Sequence, residues 1–290
     1  MINGKTQLLG VIGHPIEHSL SPVMHNAAIE QLGANFVYLP FPIAPANLPQ
    51  ALEGFRAVGL KGFSVTIPHK QAIMPLLSEI SPVAQAIGAV NTVCWTESGW
   101  SGTNTDVTGF LAPLIAKQQD WTKATALILG NGGAARAVVA GCHQLGYAQI
   151  QVVGRNPQKL EEFLQSWSNS SFSGNLSVHT WNELPDLLPN TDLLVNTTPI
   201  GMYPQTDASP LTTDEMAKLR PGSIAYDLIY TPRPTQFLQQ AQAQGAIGID
   251  GLEMLVQQGA AALELWLEMP APVAVMREAL LGYLQKSGKP

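Results

Sequence analysis

The stretch ATALILGNGGAARAVVAGCHQLG, Ala124–Gly146, decides the fold. An apolar run, Ala126–Leu129, enters a turn built on Gly130, Gly132 and Gly133, and the residues that follow carry apolar side chains at helical spacing. Strand, glycine-rich turn and helix in that order make the unit that holds a dinucleotide pyrophosphate. The glycines permit a tight turn and close approach of backbone N–H groups, and the helix N-terminus offers unpaired donors and a partial positive charge. The spacing G-x-G-G-x-x-x-A is a variant of the dinucleotide fingerprint. A turn used only for close packing is the alternative, and the strand-turn-helix context favours the nucleotide.

Immediately downstream, the strand QIQVV ends in Gly154-Arg155-Asn156-Pro157-Gln158-Lys159. An acidic residue here would take the 2′-hydroxyl of NAD. A guanidinium and an ammonium suit a 2′-phosphate instead, so NADP is the expected cofactor. The bland reading is an ordinary Arg and Lys at a helix start.

Further outward, short apolar runs alternate with amphipathic segments, punctuated by Gly, Pro, Asn or Ser, which predicts α/β architecture with mainly parallel sheets. Strands are expected near Leu8–Ile12, Phe36–Pro40, Gly62–Ile67 and Ala89–Trp95, then at Ala126–Leu129, Ile150–Val153, Leu193–Asn196, Ile224–Asp227 and Ala246–Ile249. Helices are expected from near Ser21, Ala46, Lys70 and Pro82, with Ser21 as N-cap ahead of Pro22. Further helices are expected after Asp106, Gly132, Pro157 and Pro232. The polar stretch Ser166–Asn175 reads as an exposed loop. From Gly251 two helical segments follow with no further strand to cover, so they are expected to return to the first domain. The domains are then 1–106 with 251–290, and 107–250, and the two chain crossings imply a hinge-like cleft between lobes.

A chain of 290 residues suits two domains at about 150 residues each. Its residues are 46% hydrophobic and only 12% charged, which excludes disorder driven by charge. A net charge of −6 with no basic run argues against nucleic acid or an anionic membrane as partner. Cys94 and Cys142 lie in apolar runs and read as buried, reduced thiols. No signal-like N-terminus and no apolar run of about 18 residues is present, so a soluble cytoplasmic protein is expected. His14, His18 and His25 lack the carboxylate or thiolate that would complete a metal spacing, and no metal is expected.

Three polar clusters follow strands of the first domain: GHPIEHSLSPVMHN, VTIPHK, and AVNTVCW with GTNTD. Loops at the carboxyl ends of parallel strands are where such sheets place ligands. Lys70 and Asp106 are the ionisable pair best suited to move a proton between a hydroxyl and a carbonyl. Read alone, Lys70 is a solvated helix-start lysine and Asp106 an N-cap for a helix from Val107.

Taken together, GHPIEHSLSPVMHN, GFSVTIPHK, GAVNTV, GTNTD, GNGGAARA, GRNPQK, NTTPIGM, YDLIY and DGLEMLVQQGA resemble the signature segments of the shikimate dehydrogenase family, in that family's order and across nearly the whole chain. The resemblance implies an N-terminal substrate domain, a Rossmann-like NADP-binding domain, and reversible NADP-dependent interconversion of 3-dehydroshikimate and shikimate on the route to chorismate and the aromatic amino acids. It implies Ser19, Ser21 and Tyr230 at the substrate carboxylate, Thr66, Asn91, Asp106 and Gln258 at the ring hydroxyls, and Lys70 as acid/base. On the cofactor side it implies Gly130, Asn131, Gly132, Gly133, Ala134, Gly154, Arg155, Asn156, Pro157, Gln158, Lys159, Leu228 and Gly251, with Met202 against the nicotinamide. Ser64 departs from the family, which commonly has Asn before Val-Thr. The same motifs fit a broader quinate/shikimate dehydrogenase using NAD(P). A non-catalytic sensor of NADP or a shikimate-like acid would have no need of Lys70 and Asp106 together. Monomer and homodimer are equally compatible with the sequence.

Overall fold

The chain divides into two compact units in the computed structural model, which describes residues 2–168 and 174–286. One unit takes the residues up to Gly109 and those from Leu255 onward; the other is Phe110–Met254.

The first unit is built on six strands, β1 (Gln7–Gly13), β2 (Phe36–Pro42), β3 (Gly62–Val65), β4 (Glu79–Ile80), β5 (Thr92–Thr96) and β6 (Gly99–Thr103), in the order β2-β1-β3-β5-β6-β4. β1 is parallel to β2 and β3, and β4 to β6, but β5 runs against both of its neighbours. The strand expected over 89–95 therefore starts later, and its antiparallel partner β6 was not foreseen. GWSGT carries only one large apolar residue, and burial of Trp100 against Phe63, 5.2 Å between ring centroids, anchors it. Cys94 on β5 is only partly buried rather than enclosed, because it lies in this hairpin.

Between these strands lie α1 (Ser21–Gln31), α2 (Leu48–Ala57), α3 (His69–Ala72) and α4 (Pro82–Ile87). Helix α1 begins on Ser21 itself, and the residue before it, Leu20, makes no side-chain cap. The expected N-cap role of Ser21 is thus corrected: Ser21 is the first residue of the helix, and its side chain lies beside the Tyr38 hydroxyl. The helix expected from Lys70 lasts a single turn, since Pro75 follows with no N–H to continue an α-helical ladder.

The second unit begins in α5 (Asp106–Ile115), which starts at the end of the first. It carries β7 (Thr125–Leu129), α6 (Gly133–Gln144), β8 (Gln149–Gly154), α7 (Pro157–Gln165), β9 (Leu176–Thr180), α8 (Leu184–Leu187), β10 (Leu193–Asn196), α9 (Thr213–Met216), β11 (Ile224–Asp227), α10 (Gln236–Ala243) and β12 (Ile247–Ile249). All its strands are parallel, in the order β12-β11-β10-β7-β8-β9, the doubly wound arrangement whose order reverses between β7 and β10. The edge strand β9 was missed because LSVHT alternates only weakly in burial. The stretch expected as an exposed loop after Gln165 starts otherwise: Trp167 is buried, with the Arg136 guanidinium over its ring and that of Phe163. Residues 169–173 of that stretch lie outside the described residues.

Two last helices, α11 (Leu252–Leu267) and α12 (Val273–Lys286), cover the first unit. Helix α12 packs on α1, Gly259 of α11 sits so close to Met24 that a Cβ there would collide with its methyl, and Trp266 Nε1 donates to Val93 O at 3.0 Å.

Candidate active site

The antiparallel turn of β5 is what assembles the polar clusters of the first unit. β1, β3 and β6 share one direction, so the segments after Gly13, Val65 and Thr103 leave the same edge of the sheet; β5, reversed, begins at that edge. Ser19 and Ser21 follow β1, Thr66 and Lys70 follow β3, Asn91 immediately precedes β5, and Asp106 follows β6. One sheet edge thus collects six of the expected residues.

The centre of this edge is an ion pair. Lys70 Nζ donates to Asp106 Oδ2 at 2.5 Å, with about one fifth of the lysine side chain and less than a tenth of the aspartate exposed. The other carboxylate oxygen, Oδ1, accepts from Asn91 Nδ2 at 2.8 Å. Asn91 is itself fully engaged. Its Nδ2 also donates to Thr105 Oγ1 at 3.0 Å, and its Oδ1 accepts from Thr105 N at 2.7 Å and Thr92 Oγ1 at 2.9 Å. Asp106 N donates to Asn104 Oδ1 at 2.9 Å, and Asn104 Nδ2 donates to Ala89 O at 2.9 Å. Asp106 is therefore no N-cap: it is the first residue of α5, and Asn104 supplies the acceptor for its amide. On the lysine side, Lys70 O accepts from Val90 N at 2.8 Å, and His69 Nε2 lies 2.7 Å from Ile43 O, fixing both faces of the short α3.

Around the pair, Ser21 N donates to Ser19 Oγ at 3.4 Å, which brings the two serines together at the head of α1. Thr66 is partly exposed, its N donating to Ile12 O at 3.0 Å. Gln258 lies on α11 in this unit, partly exposed, its Nε2 donating to Leu255 O at 2.8 Å. His14 and His18 are exposed and His25 is fully buried, where desolvation pulls its pKa down to about 3. Among the described residues no group of three or more His, Cys, Asp or Glu is placed to hold a metal ion.

The second unit carries the other half of the expected set. Gly130 sits at φ +101, its N donating to Val153 O at 2.8 Å, and a Cβ there would lie 2.9 Å from Thr197 Oγ1. Only glycine takes that turn without strain. Gly132 caps α6 with no side-chain acceptor, so the first N–H groups of the helix are not taken by a side chain, and a Cβ at Gly132 or Gly133 would meet nothing within 4 Å. An open turn at a bare helix N-terminus fits a pyrophosphate. Asn131 and Ala134 complete this turn. At the end of β8, Asn156 Oδ1 accepts from Lys159 N at 3.1 Å and caps α7, with Pro157 at its start and Gln158 in its first turn. Arg155 and Lys159 are exposed, and neither makes an ion pair among the described residues. Two cations without carboxylate partners fit a 2′-phosphate.

Leu228 and Gly251 meet in the backbone: a Cβ on Gly251 would overlap Leu228 O, and Gly251 N donates to Ile229 O at 3.1 Å. Beneath them Asp227, 0% exposed, accepts from Thr235 Oγ1 at 2.6 Å and from Asn196 Nδ2 and Ile229 N at 3.1 Å each. Burial pushes its pKa up to about 6, against the pull of these donors. Asn196 Oδ1 in turn accepts from Thr198 N at 3.0 Å and Thr198 Oγ1 at 2.7 Å, so one buried pair shapes both the NTTPIGM and the YDLIY loops. Met202 and Tyr230 stand on these loops; Met202 is 40% exposed, and burial raises the Tyr230 pKa.

Asn104, Thr105, Asn196 and Asp227 were not singled out from sequence although each lies in a quoted motif. Nothing local distinguishes a buried Asn or Asp that holds a loop from one that touches a ligand.

Three family models match the chain: Shikimate dehydrogenase substrate binding domain over residues 11–93, Shikimate / quinate 5-dehydrogenase over 113–206, and Shikimate 5'-dehydrogenase C-terminal domain over 251–281. The shikimate dehydrogenase (NADP(+)) of Trichormus variabilis is 68% identical over 286 residues, 98% of this chain and 99% of its own. A solved shikimate dehydrogenase in complex with NADP+ superposes with a TM-score of 0.90 at 39% identity, covering 98% of this chain and 97% of that one. Shikimate 5-dehydrogenase from Thermus thermophilus, in complex with NADP(H) and shikimate, gives 0.83 at 36% identity, covering 94% and 98%.

Proposed function

The chain belongs to the shikimate dehydrogenase family, and from that premise we propose that it catalyses the reversible, NADPH-dependent reduction of 3-dehydroshikimate to shikimate, a step toward chorismate and the aromatic amino acids. The observation that carries this reading is the Lys70–Asp106 pair, held from behind by Asn91. An ammonium donor placed against a fixed carboxylate is what protonation of a reduced carbonyl oxygen requires.

When bound, NADPH supplies the hydride that reduces the carbonyl carbon. Lys70 gives its proton to the carbonyl oxygen and is left as the neutral amine; in the reverse direction it takes the proton from the alcohol. Asp106 keeps the amine oriented throughout, and Asn91 acts first through Asp106, because both of its donors and its acceptor are already engaged. Ser19, Ser21 and Tyr230 meet the substrate carboxylate as neutral donors. Thr66, Asn91, Asp106 and Gln258 surround the ring hydroxyls. Each such pairing discriminates, since a buried polar group left unpaired costs about 1–3 kcal/mol.

The unit containing β1–β6 is the substrate domain and the unit containing β7–β12 the NADP domain. Gly130–Ala134 receive the pyrophosphate, Gly154–Lys159 the adenosine phosphate end, and Leu228, Gly251 and Met202 the nicotinamide end. A cytoplasmic enzyme acting without nucleic acid or membrane, as monomer or homodimer, completes the reading; among the described residues no helix is long and apolar enough to cross a membrane.

The test is a four-way rate comparison of 3-dehydroshikimate and 3-dehydroquinate, each with NADPH and NADH. A kcat/KM greatest for 3-dehydroshikimate with NADPH is expected. Comparable rates with 3-dehydroquinate would favour the broader quinate/shikimate enzyme, and no turnover with any pair would leave only a binding protein.

A further inference from the structure

Behind the two serines at the head of α1 stands a third hydroxyl that no motif pointed to. Tyr38 on β2 is 0% exposed, and its hydroxyl donates to Ser64 Oγ at 2.8 Å while also meeting the Ser21 side chain. Ser21 and Ser64 are buried at 8% exposure each, against 0% for Tyr38.

The tyrosine is fixed from several sides. Asn26 clamps its backbone, Oδ1 accepting from Tyr38 N and Nδ2 donating to Tyr38 O, both at 2.9 Å. The His25 ring stacks on the phenol at 4.2 Å between centroids, 14° from parallel, and Trp266 stands at 5.9 Å. Among the described residues neither His25 ring nitrogen has a hydrogen-bond partner, so its contribution here is the flat apolar face of a neutral ring.

We infer that Tyr38 is a positioning residue for substrate binding, aiming the hydroxyls of Ser21 and Ser64 toward the substrate carboxylate. This rests on the reading that places Ser21 at that carboxylate. The chemistry is one of proton count. A hydroxyl has one proton to give; with Tyr38 giving its proton to Ser64 Oγ, the Ser64 oxygen is satisfied as an acceptor and its own proton is free for an outside acceptor. The Ser21 side chain lies beside the same Tyr38 oxygen. Remove that hydroxyl and both serines lose a buried partner and rotate among staggered wells, so the substrate must order them on binding. Ser64, where the family commonly has Asn, is in this chain the acceptor that fixes the Tyr38 proton.

The experiment is a double-mutant cycle on Y38F and S64A, reading kcat, the KM for 3-dehydroshikimate, the KM for NADPH, and the melting temperature. For Y38F we expect the KM for 3-dehydroshikimate to rise about five- to twentyfold, with kcat changed less than about threefold and the NADPH KM unchanged. Y38F/S64A should be hardly worse than the more affected single variant. An unchanged substrate KM in a folded Y38F, or effects that simply add in the double variant, overturns the inference. So does a fall in kcat and both affinities that tracks the melting temperature, which is what a merely structural tyrosine would give. If Y38F does not fold, S64A decides alone, since it leaves the ring in place: a raised substrate KM supports the inference and an unchanged one overturns it. A wild-type protein that does not reduce 3-dehydroshikimate overturns the functional reading, and this inference with it. An active wild type with an indifferent Y38F overturns this inference alone.

Discussion

Lys70 Nζ lies 2.5 Å from Asp106 Oδ2, and Asn91 Nδ2 holds the opposite oxygen of the same carboxylate at 2.8 Å. The carboxylate is therefore gripped on both sides and cannot turn to follow the lysine, so the lysine is positioned by the aspartate. This ordering of dependence, Asn91 to Asp106 to Lys70, shapes the first two expectations.

Lys70→Ala should lower kcat by about 10²–10⁴-fold while leaving NADPH affinity nearly unchanged, because the lost group gives the proton and lies outside the glycine-rich unit. Steady-state rates with a separate titration of NADPH binding check this. Wild-type turnover in the variant would remove Lys70 from the mechanism.

Asn91→Ala leaves Asp106 Oδ1, Thr105 N and Thr92 Oγ1 without their present partner. At about 1–3 kcal/mol per buried group left unpaired, both stability and turnover should fall. Thermal unfolding and kcat/KM should decline together; a stable variant with full activity would show that Asn91 does not support Asp106.

Arg155→Ala should raise the KM for NADPH about tenfold or more and that for NADH hardly at all, since a charge-assisted bond to a phosphate contributes about 1.5–3 kcal/mol and NADH has no 2′-phosphate to bind. Equal weakening of the two cofactors would place Arg155 elsewhere.

Asp227 gives a pH dependence of known sign. Its folded-state pKa, pushed up to about 6 by burial, exceeds the ordinary value of 3.8. The folded state binds this proton more tightly than the unfolded chain, so the contribution is fully present below about pH 4 and is lost as pH rises through about 6, up to about 3 kcal/mol in all. Urea unfolding of the wild type and Asp227→Asn from pH 4 to 7 should show the wild type losing stability relative to the variant across that window. Parallel pH curves would mean that Asp227 titrates at an ordinary value.

Gly251→Ala forces a methyl into Leu228 O. Overpacking of this kind costs about 1–3 kcal/mol, so a lower melting temperature and weaker NADPH binding are expected together, measured by calorimetry and by cofactor titration. A variant matching the wild type in both would show that the loop yields without consequence.

The sequence by itself determined five of the six strands of the second unit, all but the edge strand β9, and the helices that follow Gly132 and Asn156, because that information is local. Apolar runs bounded by turn residues, Gly130 and Gly132 between strand and helix, and Asn156-Pro157 at a helix start each act over a few residues. β10 and β11 fall where the apolar runs Leu193–Asn196 and Ile224–Asp227 lie. It likewise named Lys70, Asp106 and the serines, whose motifs are short and polar. Only the tertiary structure decided how they meet. The reversal of β5 depends on β6, whose small and polar residues carry no signal until Trp100 packs on Phe63. That reversal carries Asn91 to the edge where Lys70 and Asp106 already stand. Tyr38 lies far along the chain from Ser64 and reaches it only because β1 lies between β2 and β3 in the sheet. Periodicity records which face of an element is buried, and not which distant side chain will share that burial; that choice belongs to packing.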